Sequence, residues 1–395
     1  MKKETKVKSI KKGHIDWIIF LPVIGLMLFS LVFVYSASAP YSALKHQDTN
    51  KIFIDHLIRV IFGIITLVIF SKINYHVYKT FAKPIFYFGI ILLVVVLITP
   101  AIHNVHRWID LGIFSLQPVE YMKFAMVIYF SHLLVEKQKV IKDFQETFVP
   151  FIVWTAIICI LIALQPNFSN LALIFLIAMI IMFVGNVNFL HIICSFLGAI
   201  LAGGVYLFSA PYRIARIKAF FQNSDSSSAA NQAEQVIAAT KYQAEQALIA
   251  LGNGGIFGLG PGQSKQNHLF LPESHVDFIF SIIGEEYGFL GLLCIIIAFV
   301  VIIWRSLIIA QKAPDNFGYF LAIGIVVTLA IYFVANAAVN TALLPTTGIP
   351  LPFLSYGGTA ILIYAAAAGI LLNISSQANV YPLEEIYLKE DNKQK

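Results

Sequence analysis

Ten long apolar runs occupy most of the chain, and they constrain its fold more than any other feature. The runs lie at roughly 17–37, 52–71, 84–102, 117–135, 147–164, 168–186, 188–208, 277–304, 318–340 and 357–375. About 20 apolar residues are enough for a helix to cross a bilayer, and a backbone inside hydrocarbon must satisfy its own hydrogen bonds. The chain is also only 12% charged. We therefore predict an all-α polytopic membrane protein with about ten transmembrane helices.

The charges in the short connections predict the orientation. If the N-terminus is cytoplasmic, the inner segments contain fourteen Lys and Arg residues and the short outer loops contain three. Cytoplasmic loops are rich in these residues, so we predict that both termini are cytoplasmic. The chain then divides into a basic N-terminus (1–16), a membrane domain (17–375) and a cytoplasmic tail (376–395). This asymmetry accounts for the net charge of +6 without a nucleic-acid partner.

A large extracytoplasmic loop, 209–276, is predicted between the seventh and eighth helices. Its centre, QNSDSSSAANQAEQ, is polar, and GNGGIFGLGPGQSKQ follows it. Such a glycine run could be a phosphate-binding loop, but it lacks the strand and helix that flank one, so we favour a hinge or a close-packed loop. The last outer loop, TALLPTTGIPLPFLSYGG, carries no charge, and we expect it to re-enter the protein.

Several charged residues fall inside the predicted helices. Counted from the outer ends, Arg59, Lys123 and Glu285 lie about 9–12 Å deep at 1.5 Å per residue, with Glu120 and Asp277 nearer the surface. Charges at this depth are costly and commonly mark a functional cavity. We predict a chamber open to the outside that binds an anion such as a lipid-linked diphosphate, with Arg107 contributing. The alternative is a structural pair between Lys123 and Glu120, one helical turn apart.

The cysteines and histidines give no metal-binding pattern. Cys159, Cys194 and Cys294 lie in apolar runs without ligand spacing, so we interpret them as packing residues. His103 and His106 flank a predicted outer loop, where loop polarity explains them better than metal binding. We therefore predict no metal site built by the protein.

Five segments together resemble the SEDS family (shape, elongation, division and sporulation). They are RWIDLGIFSLQPVEYMK (107–123), QPNFSNLAL (165–173), GNGGIFGLGPGQSKQ (252–266), LPESHVDFIFSIIGEEYG (271–288) and GIPLPFLSYGG (348–358). The resemblance covers essentially all ten helices. The pattern at 260–266 and the PLPFLSYGG form are more similar to the division branch, FtsW, than to the elongation branch, RodA.

The resemblance implies a peptidoglycan glycosyltransferase that polymerises lipid II at the outer face of the bacterial plasma membrane. It implies a class B penicillin-binding protein as a partner, with other membrane proteins of cell division and membrane lipids around it. The family's essential acid corresponds to Asp277, and the family pattern also points to Arg59, Lys123 and Glu273. This chain departs from that pattern at Val276, where a Thr is usual, and at Asn167, where an Asp is usual.

The expected chemistry needs a base for the attacking hydroxyl and positive charge for the departing diphosphate. We predict Asp277 as the base, and Arg59 and Lys123 as clamps for the diphosphate, with a divalent cation allowed beside them. Glu273 and His275 are expected to shape the surroundings of Asp277. Glu285 is expected to pair with a cation.

Two other functions fit the same sequence. A transporter that flips lipid II would also need charged groups inside the membrane, but it needs access from both faces, whereas the deep charges cluster toward one. A non-catalytic scaffold of the division machinery would not require Asp277.

Overall fold

The computed structural model describes residues 13–100, 106–110, 112, 115–208, 232–267 and 270–378. The helices of these ranges are α1 (Trp17–His46), α2 (Lys51–Lys72), α3 (His76–Thr80), α4 (Ala82–Ile98), α5 (Pro118–Glu136), α6 (Val149–Leu164), α7 (Phe168–Val184), α8 (Phe189–Phe208), α9 (Gln232–Gly254), α10 (Ile279–Gln311), α11 (Asn316–Asn340) and α12 (Ala360–Gln377). Most of the basic N-terminus, the tail after 378, His103 and most of the polar centre of the long loop lie outside the described residues.

The prediction of a ten-helix membrane protein is confirmed. Six described helices are long and apolar enough to span a bilayer, namely α1, α2, α6 with the π-helical turn before it (Phe144–Phe148), α10, α11 and α12. The shorter apolar helices α4, α7 and α8 match three more predicted runs. The tenth run is α5, which contains Glu120 and Lys123. The strands found in the described ranges are β1 (Ile109–Asp110) and β2 (Ser115–Leu116), an antiparallel pair of two residues each.

The centre of the bundle is formed by α5, α11 and α12. In α11 and α12, 72% of the apolar window is buried within the protein, whereas the other spans bury 28–39% and face outward. Small residues let α2 approach α12 closely, as is common between membrane helices. A Cβ atom at Gly369 would lie 2.6 Å from the carbonyl oxygen of Leu67.

Three helix ends are joined at one end of the bundle. Asp16 caps α1 by accepting from the Ile18 amide at 3.0 Å, and it also pairs with Arg305 of α10 at 2.6 Å. The Asp16 amide donates to Ser375 of α12 at 3.1 Å. The opposite end of the bundle, where α1 ends and α10 begins, is called the site end below.

The segment predicted as one long loop contains a helix, α9. The helix is 23 residues long, and its sequence is rich in Ala, Gln and Glu, which are strong helix formers. Ala247 and Ala250 are fully buried, and Ala247 packs in a cluster with Phe278 and Ile282. The sequence analysis missed α9 because its polar and apolar residues are mixed, so it does not form an apolar run.

The connection between α11 and α12 is irregular but buried. Ile349, Leu351, Phe353 and Leu354 are each at most 3% exposed. This arrangement agrees with the expected re-entry of the uncharged loop into the protein. It brings the backbone of residues 341–359 against the start of α10.

Candidate functional site

A single turn of chain, residues 273–277, forms the middle of the site end. The amides of Val276 and Asp277 donate to the carbonyl of Glu273 at 3.0 and 3.1 Å and so close the turn, which Glu273 begins with a φ of 55°. His275 and Asp277 have different neighbours in this turn. The His275 ring lies 5.4 Å from the rings of Tyr41 and Tyr356, whereas a Cβ atom on Gly348 would lie 3.5 Å from the Asp277 Oδ2. We call these two surroundings the His275 side and the Asp277 side of the turn.

Two amide side chains of α11 fix the backbone of Asp277. The Nδ2 atoms of Asn336 and Asn340 each donate to the Asp277 carbonyl at 2.9 Å. Asn340 also accepts from the amide and hydroxyl of Ser281 at 3.1 and 2.8 Å, in the first turn of α10. Asn336 donates to the Ile349 carbonyl at 2.7 Å. The position of Asp277 is therefore set jointly by α10, α11 and the re-entering loop.

The Asp277 carboxyl group is partly buried, ahead of the first residue of α10 and beside the re-entering loop. A Cβ atom built on Gly348 would lie 3.5 Å from its Oδ2. Burial raises the pKa of Asp277 to about 8, the negative charge of Glu273 adds to this rise, and the positive charge of Arg107 opposes it. A carboxylate with a pKa close to the working pH is suited to accept a proton.

Arg107 is anchored within electrostatic range of this carboxyl group. Its Nε donates to the Gln165 carbonyl at 3.2 Å and its Nη2 donates to the Pro166 carbonyl. These bonds attach the segment after α4 to the turn between α6 and α7. Asn167, which stands where the family pattern has an acid, bonds to Asn170 at 3.1 Å. Arg107 thus supplies a fixed positive charge near Asp277.

Lys123 is completely buried, so in this structure it does not face a chamber open to the outside, as we predicted for a diphosphate clamp. Its Nζ donates to Glu120 and to the hydroxyl of Tyr364, both at 2.6 Å. The same nitrogen lies 3.6 Å from the ring centroid of Tyr332. The depth that we predicted for Lys123 from its position along the helix does not reveal which neighbours fill the space around the side chain.

Glu285 belongs to a third environment, separate from Lys123 and Arg59. Its carboxylate accepts from Asn253 at 3.1 Å, from Ser264 at 2.5 Å and from the Gln266 amide at 3.2 Å. Within the described residues, Arg59, Lys123 and Glu285 therefore have separate partners and do not line one chamber. Glu285 instead binds the glycine-rich loop to α10.

That loop fills a break in α10 at Gly288, where φ is 67°. The amides of Leu259 and Gly260 donate to the carbonyls of Glu285 and Glu286 at 2.9 and 3.0 Å. In return, Phe289 and Leu290 donate to carbonyls of the loop at 2.9 and 3.2 Å. A Cβ atom on Gly258 would lie 2.1 Å from the backbone carbonyl oxygen of Glu286. The glycine run is thus a close-packed loop, as favoured from its sequence.

Arg59 lies on the His275 side of the turn. Its guanidinium carbon is 4.4 Å from the ring centroid of Tyr356, and the Tyr356 amide donates to the His275 carbonyl at 3.0 Å. The His275 ring is 5.4 Å from that of Tyr356. Burial, together with the nearby charge of Lys45, lowers the pKa of His275 to about 4, so this imidazole is neutral at pH 7.

The described residues contain no group of three or more His, Cys, Asp or Glu side chains that could hold a metal ion. A divalent cation beside a bound diphosphate stays a prediction.

Sequence reasoning missed three residues of the site: Asn336, Asn340 and Tyr356. The asparagines had a visible signal, because two amides four residues apart in an apolar helix need partners inside the protein. Tyr356 had none, since a tyrosine in an uncharged loop does not reveal that an arginine stacks on it.

Comparisons with known proteins assign the chain to a family. A family model described as "Cell cycle protein", for FtsW, RodA and SpoVE, matches residues 16–380. The chain therefore belongs to the FtsW/RodA/SpoVE family, the SEDS family that the sequence motifs resemble.

Relatives of similar length are known. The "Probable peptidoglycan glycosyltransferase FtsW" of Trichlorobacter lovleyi is 36% identical over 379 residues, which cover 95% of this chain and 97% of that protein. "Stage V sporulation protein E" of Bacillus subtilis is 38% identical over 375 residues, or 93% of this chain and 98% of that protein.

Solved structures share the fold. A chain from a structure described as "Structural coordination of polymerization and crosslinking by a peptidoglycan synthase complex" superposes with a TM-score of 0.72 at 18% identity, covering 92% of this chain and 98% of that one. The rod shape determining protein RodA of Thermus thermophilus gives 0.64 at 20% identity, covering 93% and 98%.

Lys123→Ala should lower the free energy of unfolding by about 3–5 kcal/mol, because it leaves the buried Glu120 carboxylate without its partner. Thermal unfolding of the purified protein in detergent measures this as a lower melting temperature. Lys51→Ala is the matched control, since Lys51 pairs with Asp55 at 3.6 Å on an exposed face, and such pairs contribute about 0–1 kcal/mol. Equal melting temperatures for the two variants would contradict a structural role for the Lys123 pair.

Proposed function

We propose that this protein is a peptidoglycan glycosyltransferase that polymerises lipid II into glycan strands at the outer face of the bacterial plasma membrane, in cell division. The observation that carries the proposal is Asp277. It is a partly buried carboxyl group with a pKa raised to about 8, and its backbone is held by two asparagines at one end of a membrane bundle. The names of the relatives in Trichlorobacter lovleyi and Bacillus subtilis support the same reaction and a role in the cell cycle or sporulation.

The reaction joins two lipid-linked saccharides. The 4-hydroxyl of the acceptor, an incoming lipid II, attacks the anomeric carbon of the donor, the growing chain. Asp277 takes the hydroxyl proton as the new O–C bond forms, and the bond from the anomeric carbon to the diphosphate oxygen breaks. The bond's electrons leave with undecaprenyl diphosphate. Direct displacement of this kind inverts the donor's anomeric configuration.

Positive charge near Asp277 stabilises the departing diphosphate. Arg107 is suited to this task because its charge acts on Asp277 and its anchoring bonds to Gln165 and Pro166 hold it in place. A fixed cation of this kind loses little free energy in reorganisation as negative charge develops. Lys123 and Glu120 support the site indirectly, through Tyr332 and Tyr364, and Glu273 tunes the proton affinity of Asp277. Arg59 binds substrate on the other side of the turn, and Glu285 keeps the glycine-rich loop in place.

The site end faces the cell exterior in this proposal, and both termini are cytoplasmic. The excess of Lys and Arg in the connections at the opposite end supports this orientation. Lipid II would enter from the membrane. A class B penicillin-binding protein would act beside this chain, together with other division proteins. The solved peptidoglycan synthase complex with the same fold motivates that expectation.

Asp277→Asn should abolish polymerisation while the protein remains folded in the membrane. Asn is nearly isosteric but takes up no proton at working pH, and base catalysis contributes about 10²–10⁴-fold. The measurement is glycan-chain formation from labelled lipid II by the purified protein with its penicillin-binding partner. Activity within a few-fold of the parent would exclude Asp277 as the base. Glu273→Gln would then decide between a second acid and the lipid-flipping alternative.

The rate of polymerisation should rise with pH. Because the base must be ionised and burial raises the pKa of Asp277 to about 8, kcat/KM should increase about tenfold per pH unit below that pKa and level off above it. Glu273→Gln should move the midpoint to lower pH, since the charge of Glu273 raises the pKa, and Arg107→Gln should move it higher. A flat profile between pH 6 and 9 would contradict proton transfer to Asp277.

The proposed orientation can be tested by labelling single cysteines in a variant whose three native cysteines are replaced by serine. Lys265 and Lys139 are both exposed and lie at opposite ends of the bundle. A membrane-impermeant maleimide should label Lys265→Cys on intact cells and Lys139→Cys only after the membrane is opened. The reverse pattern would place the site end in the cytoplasm and overturn the proposal.

A further inference from the structure

Three aromatic rings form a row on the His275 side of the turn, with a cationic side chain at each end. Lys45 donates to the Tyr41 hydroxyl at 3.0 Å. The rings of Tyr41 and His275 are 5.4 Å apart, as are those of His275 and Tyr356. Arg59 closes the row, 4.4 Å from the Tyr356 ring. We refer to Lys45, Tyr41, His275, Tyr356 and Arg59 as the Tyr356 ladder.

Buried contacts hold His275 and Tyr356, the inner rings of the ladder, in place. His56 is fully buried, and its ring centroid lies 5.9 Å from that of Tyr356. Its Nε2 hydrogen-bonds to the Ser30 hydroxyl at 2.9 Å. The backbone bond from Tyr356 to His275 fixes the two rings to each other. Lys45, Tyr41, Tyr356 and Arg59 nevertheless remain partly or fully exposed. A surface whose rings are held by buried contacts and whose other face is exposed is suited to binding, because little conformational entropy is lost when a ligand binds.

Two ladder groups keep polar atoms without partners. The Nη1 of Arg59 and the Nδ1 of His275 are buried and make no hydrogen bond with the described residues. Arg59 also has no carboxylate within ion-pair distance in the part of the chain that the structure describes. Buried polar atoms are nearly always satisfied, and a guanidinium forms its strongest bonds with phosphate or carboxylate oxygens. These atoms therefore favour an anionic ligand.

The aromatic members define the rest of the ligand. The negative faces of aromatic rings attract partial positive charge, which the C–H bonds of a sugar ring provide. Glu273 is exposed and lies within electrostatic range of Lys45, so it can accept a bond from a sugar hydroxyl. Cations at both ends of an aromatic surface match a sugar that carries a diphosphate.

The turn at 273–277 separates the ladder from the proposed base. His275 lies against Tyr41 and Tyr356, whereas Asp277 lies against Gly348. In the donor, the diphosphate is bonded to the carbon under attack, so it must lie on the Asp277 side, near Arg107. In the acceptor, two sugar rings separate the attacking hydroxyl from the diphosphate, so these two groups can occupy different sides of the turn.

We propose that the Tyr356 ladder binds the diphosphate and adjoining sugar of the acceptor, a polyprenyl-diphosphate-linked disaccharide, while Arg107 serves the donor. This inference rests on the proposed function and adds a second substrate subsite to it. The acceptor then spans the turn, with its diphosphate on Arg59 and its free hydroxyl at Asp277.

Binding can be measured without turnover in the Asp277→Asn protein. Native mass spectrometry with purified lipid II should detect two bound lipids per chain. Adding Arg59→Gln should weaken one of the two sites by about tenfold or more, because a charge-assisted contact is lost. Tyr356→Leu should have a similar effect, whereas Tyr356→Phe, which keeps the ring, should retain both sites. Lys51→Gln is the matched control on the same helix and should also retain both.

The melting temperatures of these variants show whether they are folded, and Arg59→Lys provides a milder change that keeps the charge without the planar stacking. Two unchanged lipid II sites in Asp277→Asn/Arg59→Gln would overturn the proposal. So would an equal loss in the Lys51→Gln control. If phosphatidylglycerol competes with lipid II as strongly as undecaprenyl diphosphate does, the ladder binds anionic lipids in general and the proposal fails. If inorganic pyrophosphate competes equally, the lipid and the sugar have no role in binding.

The same set of variants separates this inference from the proposed function. If the parent protein fails to polymerise lipid II but loses one bound lipid on Arg59→Gln, the ladder stands and the function fails. If the parent polymerises and Arg59→Gln leaves both the binding and the KM unchanged, the function stands and the ladder fails.

Discussion

The site end of this protein depends on two amide hydrogen bonds that meet at one carbonyl oxygen. Asn336 and Asn340, one turn apart on α11, both donate to the backbone of Asp277. The same two side chains bond the first turn of α10 and the re-entering loop. Both asparagines are buried, so water cannot replace these bonds, and leaving a partner unsatisfied would be costly. The position of the proposed base is thus coupled to three separate segments of the chain.

The break in α10 shows the same requirement for buried backbone groups. A helix interrupted at Gly288 leaves carbonyls and amides without intrahelical partners, which is costly at membrane depth. The glycine-rich loop supplies the partners in both directions, and it can approach because Gly258 and Gly288 have no side chains. Glu285 then ties Asn253, Ser264 and Gln266 to the helix. Carboxylates near the site therefore differ in role: Glu285 is saturated by the protein, whereas Asp277 retains a carboxyl group whose proton affinity is raised.

The positions of the apolar helices could be predicted from the sequence, and the motif around Asp277 marked that residue as the candidate base. The environments of the other charged residues could not. Lys123, Arg59 and Glu285 lie at similar depths when counted along straight helices, yet each has different neighbours in the folded chain. Depth follows from the rise per residue, but the direction of a side chain depends on helix rotation, breaks and packing. The helix α9 was missed for a related reason, since it is stabilised by packing on α10 and not by an apolar run.

The amino-acid sequence by itself determined that the chain crosses a membrane about ten times, because its long runs of apolar side chains favour hydrocarbon and the polar backbone there must satisfy its own hydrogen bonds in a helix. It also determined which residues are chemically able to serve as base and cation. Only the tertiary structure decided that Lys123 is buried in a pair with Glu120, that two asparagines hold Asp277, and that His275 lies against Tyr356 while Asp277 lies against Gly348. These features arise from contacts between residues distant in the chain, such as Asp277 with Asn340 and Arg59 with Tyr356. No local pattern in the sequence encodes which of many polar side chains will meet once the helices pack.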